Sequence, residues 1–429
     1  MKNISNGLMN FIDNTPNAYY CVENIKKQLL DNGFTELYEN DSWDWLNPGN
    51  YFVTKNDSSI IAFKTTGNGA SKGFNIVGVH TDSPNFSIKH NPEMFDGYYL
   101  KFNTNSYGGM INYSWFDRPL SIAGRLILKN KDIYKKKLVN IDKDLLVIPS
   151  QAVHINRDVN NSASFNRQND LLPVISLENG NLTDMLGEYI DNNDLICDYD
   201  LYLYNRDKAK LIGLKDEMIL APRTDDLACV YPSLLSFMDS DNPSAINVFC
   251  AFNNEEIGSL TEQGADSPFL INTLDRIAKM EGLDFHQTLG NSFIISADNA
   301  HAIHPNAPSK SDPTNIVRLN GGVVIKHHPN YTTDGISSTI FKEICAVSGI
   351  KYQDFYCRSD MVCGSTIGGL TQSHVPVDSV DVGLPQLAMH SANETIGSKD
   401  VIDMYDALHN FYNCAIKRDK GNFKILYKE

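Results

Sequence analysis

The chain has 429 residues, which is enough for two domains or for one large domain with an insertion. Its composition, 42% hydrophobic and 21% charged, is typical of a soluble globular protein, and no apolar run approaches the length of a membrane span. A formal net charge of −15 argues against a nucleic-acid partner, whose phosphates would be repelled. The N-terminus lacks the apolar core of a signal peptide, and the eight cysteines form no CxxC pair, so we expect a cytoplasmic protein.

The first part of the chain predicts a helix followed by strands. Apolar residues at helical spacing indicate a helix between Pro16 and Asn32. Strands are predicted at residues 51–54 and 60–65. The apolar run at 74–80 is typical of a central strand, and it ends in His80.

The pattern changes from about residue 91 to residue 220. Short β-rich pieces separated by turn signals dominate, with strands predicted at 97–102, 120–128, 145–148 and 200–204. We interpret 91–220 as a separate β-rich domain inserted into the first, which leaves 1–90 and 221–429 as two pieces of one catalytic domain.

Strands and helices alternate again after residue 220. A helix predicted just after Asp225 contains Pro232, so we expect a kink or an early end there. Further strands are predicted in this order: 245–252, 293–297, 322–325, 380–383 and 386–390. This alternation on both sides of an insertion predicts an α/β fold.

Ionisable side chains stand where several of these strands end. In α/β sheets, functional sites gather at the carboxyl ends of the strands. Two adjacent carboxylates, Glu255 and Glu256, are costly to bury without a partner, and a divalent metal supplies one. One carboxylate can ligate the metal while its neighbour handles the protons of a metal-activated water. The other candidates at strand ends or at a helix start are His80, Asp225, Asp298 and His390.

This set of donors suits particular metals. Two histidines and several carboxylates favour zinc, manganese or cobalt over calcium, which prefers all-oxygen ligands. Two metals about 3.5–4 Å apart would need a bridging carboxylate. Asp82, two residues after His80, is placed to orient that histidine.

Each residue also has an ordinary explanation. The Glu255-Glu256 pair could be solvated in a loop, and His80 could be a satisfied core histidine. Asp226 could stabilise a helix N-terminus, and Asp298 could form an Asx turn. Together these explanations require several independent coincidences, so metal-hydrolase chemistry is favoured.

Six ordered segments carry a family resemblance that spans nearly the whole chain. They are VHTDSP (79–84), PRTDDL (222–227), NEEIGS (254–259) with QGA (263–265), DNAHAIHPN (298–306), CGSTIG (363–368) and QLAMHS (386–391). These segments resemble the aspartyl-aminopeptidase family of dinuclear zinc metallopeptidases. The resemblance implies a mixed-sheet zinc-exopeptidase catalytic domain with an inserted β-rich domain for dimerisation or oligomerisation.

The resemblance also implies an activity and a site. The activity would be metal-dependent removal of N-terminal residues, with a leaning toward Asp and Glu, from peptides. Glu255 would be the general base and acid, beside two divalent ions, with Zn²⁺ favoured over Mn²⁺ or Co²⁺. The implied metal ligands are His80, Glu256, Asp298 and His390, with Asp225 bridging.

In the family, a histidine of the inserted domain reaches a neighbouring subunit's site, and His154 inherits this role. Lys326 and Tyr331 match residues of the substrate pocket. The family assembles as tetrahedral dodecamers, so a homo-oligomer is expected. Asn393 stands where arginine is usual and Gly369 where proline is usual, which leaves the substrate preference in question.

Two other functions remain open. A related dinuclear deacylase or carboxypeptidase could share the H-x-D strand end and the Glu-Glu pair, and N-acyl substrates would distinguish it from an aminopeptidase. A catalytically idle assembly protein is the second alternative, which the intact Glu255 and ligand set disfavour. Metal content together with turnover would decide between an enzyme and such a protein.

Overall fold

The computed structural model describes residues 4–43, 47–67, 72–191 and 193–427. The α-helices in this part of the chain are α1 (Ile4–Asp13), α2 (Ala18–Asp31), α3 (Leu182–Gly187), α4 (Thr224–Asp239), α5 (Phe269–Met280), α6 (Phe285–Gly290), α7 (Gly335–Val347), α8 (Ile367–His374) and α9 (Asp400–Tyr412). None of these helices is both long and apolar enough to cross a membrane.

The strands are β1 (Thr35–Leu37), β2 (Asn50–Lys55), β3 (Ser59–Lys64), β4 (Phe74–His80), β5 (Asn85–Phe95), β6 (Leu100–Tyr107), β7 (Leu120–Asn130), β8 (Ile133–Asn140), β9 (Val174–Ser176), β10 (Leu195–Asn205), β11 (Lys210–Ile212), β12 (Met218–Ala221), β13 (Ile246–Phe252), β14 (Phe293–Ala297), β15 (Ala300–His301), β16 (Val323–His327), β17 (Tyr352–Tyr356), β18 (Asp378–Gly383), β19 (Pro385–Leu387), β20 (Glu394–Gly397), β21 (Cys414–Asp419) and β22 (Asn422–Tyr427).

A nine-stranded sheet is the centre of the α/β part, in the order β1-β2-β3-β13-β4-β14-β18-β16-β17. Its middle strands β13, β4, β14 and β18 run parallel, whereas β3 pairs antiparallel with β13, and β16 antiparallel with β18. The sheet is therefore mixed, and the predicted α/β fold class is confirmed.

Burial on both faces explains why the middle strands are apolar throughout. Every residue of β4 and β13 is buried. Successive side chains point to opposite faces of a strand, so Val77 and Phe249 enter one core while Ile76 and Val248 enter the other. Because β4, β13 and β14 are parallel, their carboxyl ends lie at one edge of the sheet.

The chain divides into two compact units. The first comprises Met1–Asp82, Ala209–Met389 and Glu394–Glu429, and the second comprises Ser83–Lys208 and His390–Asn393. The second unit is built on an antiparallel sheet, β8-β7-β10-β5-β6-β9. These limits differ from the predicted boundaries at 90/91 and 220/221 for a physical reason. Strand β5 begins before residue 91 and pairs with β6 and β10 of the second unit. Strands β11 and β12 begin before residue 221, but they pair with each other, and β12 pairs with β20 of the first unit.

A five-stranded sheet in the first unit follows the order β11-β12-β20-β19-β15. Ala221, the last residue of β12, pairs in register with Glu394 at the start of β20. At the other end, His301 of β15 pairs with Gln386 of β19. This sheet therefore fixes the chain just before α4 and just after β14.

Three sequence expectations do not hold in detail. The strand predicted at 386–390 ends at Leu387, because Ala388 and His390 have left-handed backbone angles. Helix α4 continues past Pro232 to Asp239, and its non-helical backbone angles fall at Asp225 and Asp226 instead. Burial of Leu234 and Phe237 in the core accounts for the continuation, since it offsets the hydrogen bond that proline lacks. Residues 145–148 form isolated bridges to Leu120 and Val174 rather than a strand.

Candidate metal centre

His80 lies at the centre of a group of buried acidic side chains. Its ring Nε2 is 3.3 Å from Asp225 Oδ1, and its backbone N–H donates to Asp226 Oδ2 at 3.2 Å. The ring Nδ1 lies 3.0 Å from the carbonyl oxygen of Asp82 and 3.5 Å from Asp82 Oδ1. His80 and these three aspartates are each at most 3% exposed. The end of β4 and the start of α4 thus meet at one point.

Asp82 also fixes the two glutamates. Its Oδ1 accepts from the backbone N–H of Glu255, and its Oδ2 accepts from that of Glu256, both at 3.2 Å. The glutamates open a short 3-10 helix, Glu255–Ile257, which two asparagines separate from the end of β13. A single buried carboxylate therefore holds both glutamates and lies beside His80, a double contact that the sequence alone did not indicate.

The turn before the glutamates is held by Thr261 and by Gln263, the first residue of the QGA segment. Asn254 has a left-handed backbone, with φ of 64°. Its Oδ1 accepts from Thr261 Oγ1 at 2.8 Å and from Gln263 Nε2 at 2.7 Å. The backbone N–H of Asn253 donates to the carbonyl of Gln263 at 3.1 Å. These contacts tie residues 261–263 to the turn that presents Glu255.

Candidate ligand atoms converge in two overlapping sets in the first unit. Atoms of His80, Asp225, Asp226 and Asp298 lie within 4.8 Å of one another, and so do atoms of His80, Glu255 and Glu256. Sequence reasoning treated Asp226 as a helix N-terminal acid, yet it is fully buried beside His80. In the sequence, the only indication that Asp226 belongs to this group is its position next to Asp225.

The electrostatics of this group fit a divalent cation. Burial raises the pKa of Asp226 and of Asp298, and neighbouring carboxylates raise both further. His80 lowers the pKa of both aspartates, and Lys326 lowers that of Asp298. Burial also raises the pKa of Glu255, to about 7. Burial alone would lower the pKa of His80, but the surrounding carboxylates raise it well above its usual value.

The donor chemistry leads to the same conclusion. Asp226 Oδ1 is a buried acceptor without a hydrogen-bond donor in the part of the chain that the structure describes. Imidazole and carboxylate are common ligands of zinc and related metals. A cation bound here would offset the clustered negative charge, so these residues fit a metal site.

Lys326 supplies one positive charge beside this group. It is 3% exposed, and its Nζ lies 3.5 Å from Asp298 Oδ1. The same ammonium lies 5.6 Å from the centre of the Tyr331 ring, whose hydroxyl is 3.3 Å from Cys363 Sγ. The predicted pocket residues Lys326 and Tyr331 therefore lie together, next to a predicted ligand.

His390 and His154 belong to the second unit. The Nδ1 atom of His390 lies 3.0 Å from the carbonyl oxygen of Gly109. His154 is exposed in a turn, so it is not a buried histidine of its own domain. Its role in a neighbouring subunit and the role of His390 as a ligand stay predictions.

The two departures from the family pattern have defined surroundings. In the second unit, the amide of Asn393 donates to Asp207 Oδ2 at 2.7 Å, and Arg118 pairs with the same carboxylate. Gly369 lies within α8. Apart from its chain neighbours and the backbone of its own helix, no atom of the described residues is within 4 Å of the position that a Cβ would take there. Gly369 therefore leaves space for a larger side chain.

The chain is similar to known proteins over nearly its whole length. Residues 11–412 match the family described as aminopeptidase I zinc metalloprotease (M18). A probable M18 family aminopeptidase 2 from Clostridium acetobutylicum is 45% identical, with 95% of this chain and 98% of that protein covered.

Solved structures share the fold. A chain of the Ape4 and Nbr1 complex superposes with a TM-score of 0.91 at 32% identity, over 96% of this chain and 85% of that chain. The S. cerevisiae mApe1 dodecamer gives 0.83 at 26% identity, over 95% and 96%. The chain belongs to the M18 family of aminopeptidase I zinc metalloproteases, metal-dependent hydrolases that remove N-terminal residues from peptides.

Proposed function

We propose that the chain is a dinuclear zinc aminopeptidase that favours N-terminal Asp and Glu. One observation carries this proposal: His80, three aspartates and the Glu255-Glu256 pair converge at the carboxyl edge of the central sheet. The residues that would hold two divalent ions, Zn²⁺ before Mn²⁺ or Co²⁺, are His80, Asp225, Glu256, Asp298 and His390. Asp225 would bridge the two ions.

When bound, the ions polarise the scissile carbonyl and lower the pKa of water. The protein side chains supply the remaining steps. Glu255 accepts a proton from the attacking water and passes it to the leaving amine. Asp82 holds the backbone of both glutamates, so that Glu255 and Glu256 keep separate roles. Clustered carboxylates attract the free α-ammonium of the substrate, which restricts cleavage to the N-terminal residue.

The acidic preference rests on Lys326. Its ammonium is buried next to Asp298, and a lysine ammonium is a compact charge that can pair with a substrate carboxylate. Tyr331 contacts the same ammonium through its ring. An aspartyl or glutamyl side chain entering here would meet a positive charge in a water-poor setting, where such pairing is strong.

We also propose a cytoplasmic homo-oligomer in which the second unit mediates assembly. The apolar side chains of Val153 and Ile155 flank His154 and are 49% and 80% exposed, as expected of a surface that another subunit covers. The mApe1 relative is a dodecamer, and we extend a tetrahedral dodecamer to this chain. In that assembly, His154 would hydrogen-bond to the substrate oxyanion in a neighbouring subunit's site.

A substrate panel tests the activity. The chelator-treated protein is assayed with twenty aminoacyl fluorogenic substrates and matching N-acyl substrates, with zinc, manganese or cobalt added back. We expect cleavage of aminoacyl substrates only, fastest for Asp and Glu, and dependent on added metal. Preferential cleavage of N-acyl substrates would overturn the aminopeptidase assignment, and a leucyl preference would overturn the acidic one.

A further inference from the structure

Glu394 is a buried carboxylate that touches the segment carrying Asp225. It is 2% exposed, and its Oε2 accepts from Thr224 Oγ1 at 2.9 Å and from the backbone N–H of Asp225 at 3.1 Å. We propose that Glu394 is a positioning residue that holds Asp225 in the orientation needed to bind divalent cations. This inference rests on the proposed function, because it takes Asp225 as a metal ligand.

The backbone around Asp225 needs such a support. Arg223 has a left-handed conformation, with φ of 58°, which is uncommon for a residue with a side chain. Asp225 and Asp226 then depart from helical angles inside the first turn of α4. The first N–H groups of a helix have no acceptor within the helix. Glu394 supplies the acceptor for Asp225 from outside the helix.

Other contacts hold the residues on either side of Asp225. The Arg223 guanidinium donates to the carbonyl oxygens of Thr15 at 2.9 Å and Ile12 at 3.2 Å. Ile12 lies near the end of α1, and Thr15 lies just after it. The Asn299 amide donates to the carbonyl of Thr224 at 2.8 Å, and Asn299 directly follows Asp298 in the chain. The Glu394 carboxylate completes this support at the backbone of Asp225 itself.

Glu394 is itself fixed by the five-stranded sheet. It opens β20 and pairs in register with Ala221, four residues before Asp225. The next strand, β19, carries Gln386, whose Oε1 accepts from the Asn299 amide. One sheet therefore supports the neighbourhoods of both Asp225 and Asp298. A residue on a regular strand holds its partner more rigidly than a residue on a loop.

Charge explains why a carboxylate suits this position. A neutral amide oxygen would accept from the same two donors more weakly than a carboxylate does, and a carboxylate also adds negative charge beside an already acidic group. That charge is unfavourable without a cation and favourable with one. Residues that orient metal ligands contribute in this way, and their loss costs about 10–100-fold in metal affinity or activity.

The test measures zinc affinity by competition with a chromophoric chelator. Glu394→Gln keeps the shape of the side chain and removes its charge. Asp400→Asn is the matched control, because Asp400 is a fully buried carboxylate that accepts from the backbone N–H groups of Asn320 at 2.6 Å and Gly322 at 2.9 Å. Asp225→Asn reports on the proposed function itself, and melting of the metal-free proteins reports on folding.

We expect Glu394→Gln to bind zinc about 10–100-fold more weakly than wild type. Asp400→Asn should stay within about threefold while losing a similar amount of metal-free stability. Zinc affinity within threefold of wild type in Glu394→Gln, with Asp225→Asn impaired, would overturn the inference alone. If Asp225→Asn also binds zinc normally, the assignment of Asp225 fails as well.

Thr224→Val provides a second route if Glu394→Gln does not fold. Valine removes the hydroxyl that donates to Glu394 and leaves the carboxylate in place. Its zinc affinity should fall by a smaller factor, about 3–10-fold, because the backbone N–H of Asp225 still donates to Glu394. Unchanged affinity in a folded Thr224→Val protein would contradict the positioning role.

Discussion

The contacts of Asp82 predict that the Asp82→Asn variant has a lower kcat/KM than wild type. Each of its two carboxylate oxygens accepts one backbone N–H, from Glu255 and from Glu256. The substitution keeps the size of the side chain but turns one acceptor into an NH₂ group that faces a donor. One hydrogen bond to a charged acceptor is lost, which costs about 1.5–3 kcal/mol. If this loss falls on the transition state, kcat/KM drops about 10–100-fold.

Steady-state kinetics on an aspartyl substrate, with the metal content of each preparation measured, provide the assay. Asp400→Asn makes the same change at a buried carboxylate with two backbone donors and should leave kcat/KM within about threefold. An Asp82→Asn protein that matches the control in kcat/KM would refute the idea that Asp82 positions the glutamates.

Three further predictions follow from other parts of the molecule. Lys326→Met should lower the ratio of aspartyl to leucyl kcat/KM about 10–100-fold, since one charge-assisted contact is lost; equal losses on both substrates would contradict a pocket role. His154→Ala and Glu255→Gln should each be inactive, but mixed oligomers of the two, verified by mass, should recover part of the activity; mixtures as inactive as either parent would exclude shared sites. Burial lowers the pKa of Lys64 from its usual 10.5 to about 8. Between pH 8 and pH 10.5 the unfolded chain therefore binds more protons at Lys64 than the folded chain does. The free energy of unfolding should rise with pH over this range. Denaturant unfolding from pH 7.5 to 10.5 should show a shallower rise in Lys64→Met, and parallel curves would be inconsistent with this pKa.

Much of the fold could be predicted from the sequence because its central strands are buried on both faces. The runs at 74–80 and 293–297 coincide with β4 and β14, because a short apolar run of this length is typical of a strand that is buried on both faces. The family and the α/β fold class predicted from the six motifs are confirmed. The polar residues that follow such strands could also be identified from the sequence, because each apolar run shows where its strand ends.

The remaining features depend on contacts between distant parts of the chain. Asp226 is buried beside His80 because the backbone departs from helical angles at the start of α4, and residue periodicity carries no signal of that departure. Glu394 reaches Thr224 across 170 residues through the pairing of β12 with β20. Such pairings are set by the packed fold rather than by local sequence pattern.

Metal analysis combined with turnover can separate the proposed roles of Glu255, which transfers protons, and Glu256, which binds metal. Zinc per subunit and kcat are measured for wild type, Glu255→Gln and Glu256→Gln after identical zinc loading and desalting. Glu255→Gln should keep its zinc but lose about 10²–10⁴-fold in kcat, because an amide cannot transfer the proton. Glu256→Gln should lose zinc and activity together. A Glu255→Gln enzyme with near-wild-type turnover, or a Glu256→Gln protein that retains all of its zinc, would contradict these separate roles.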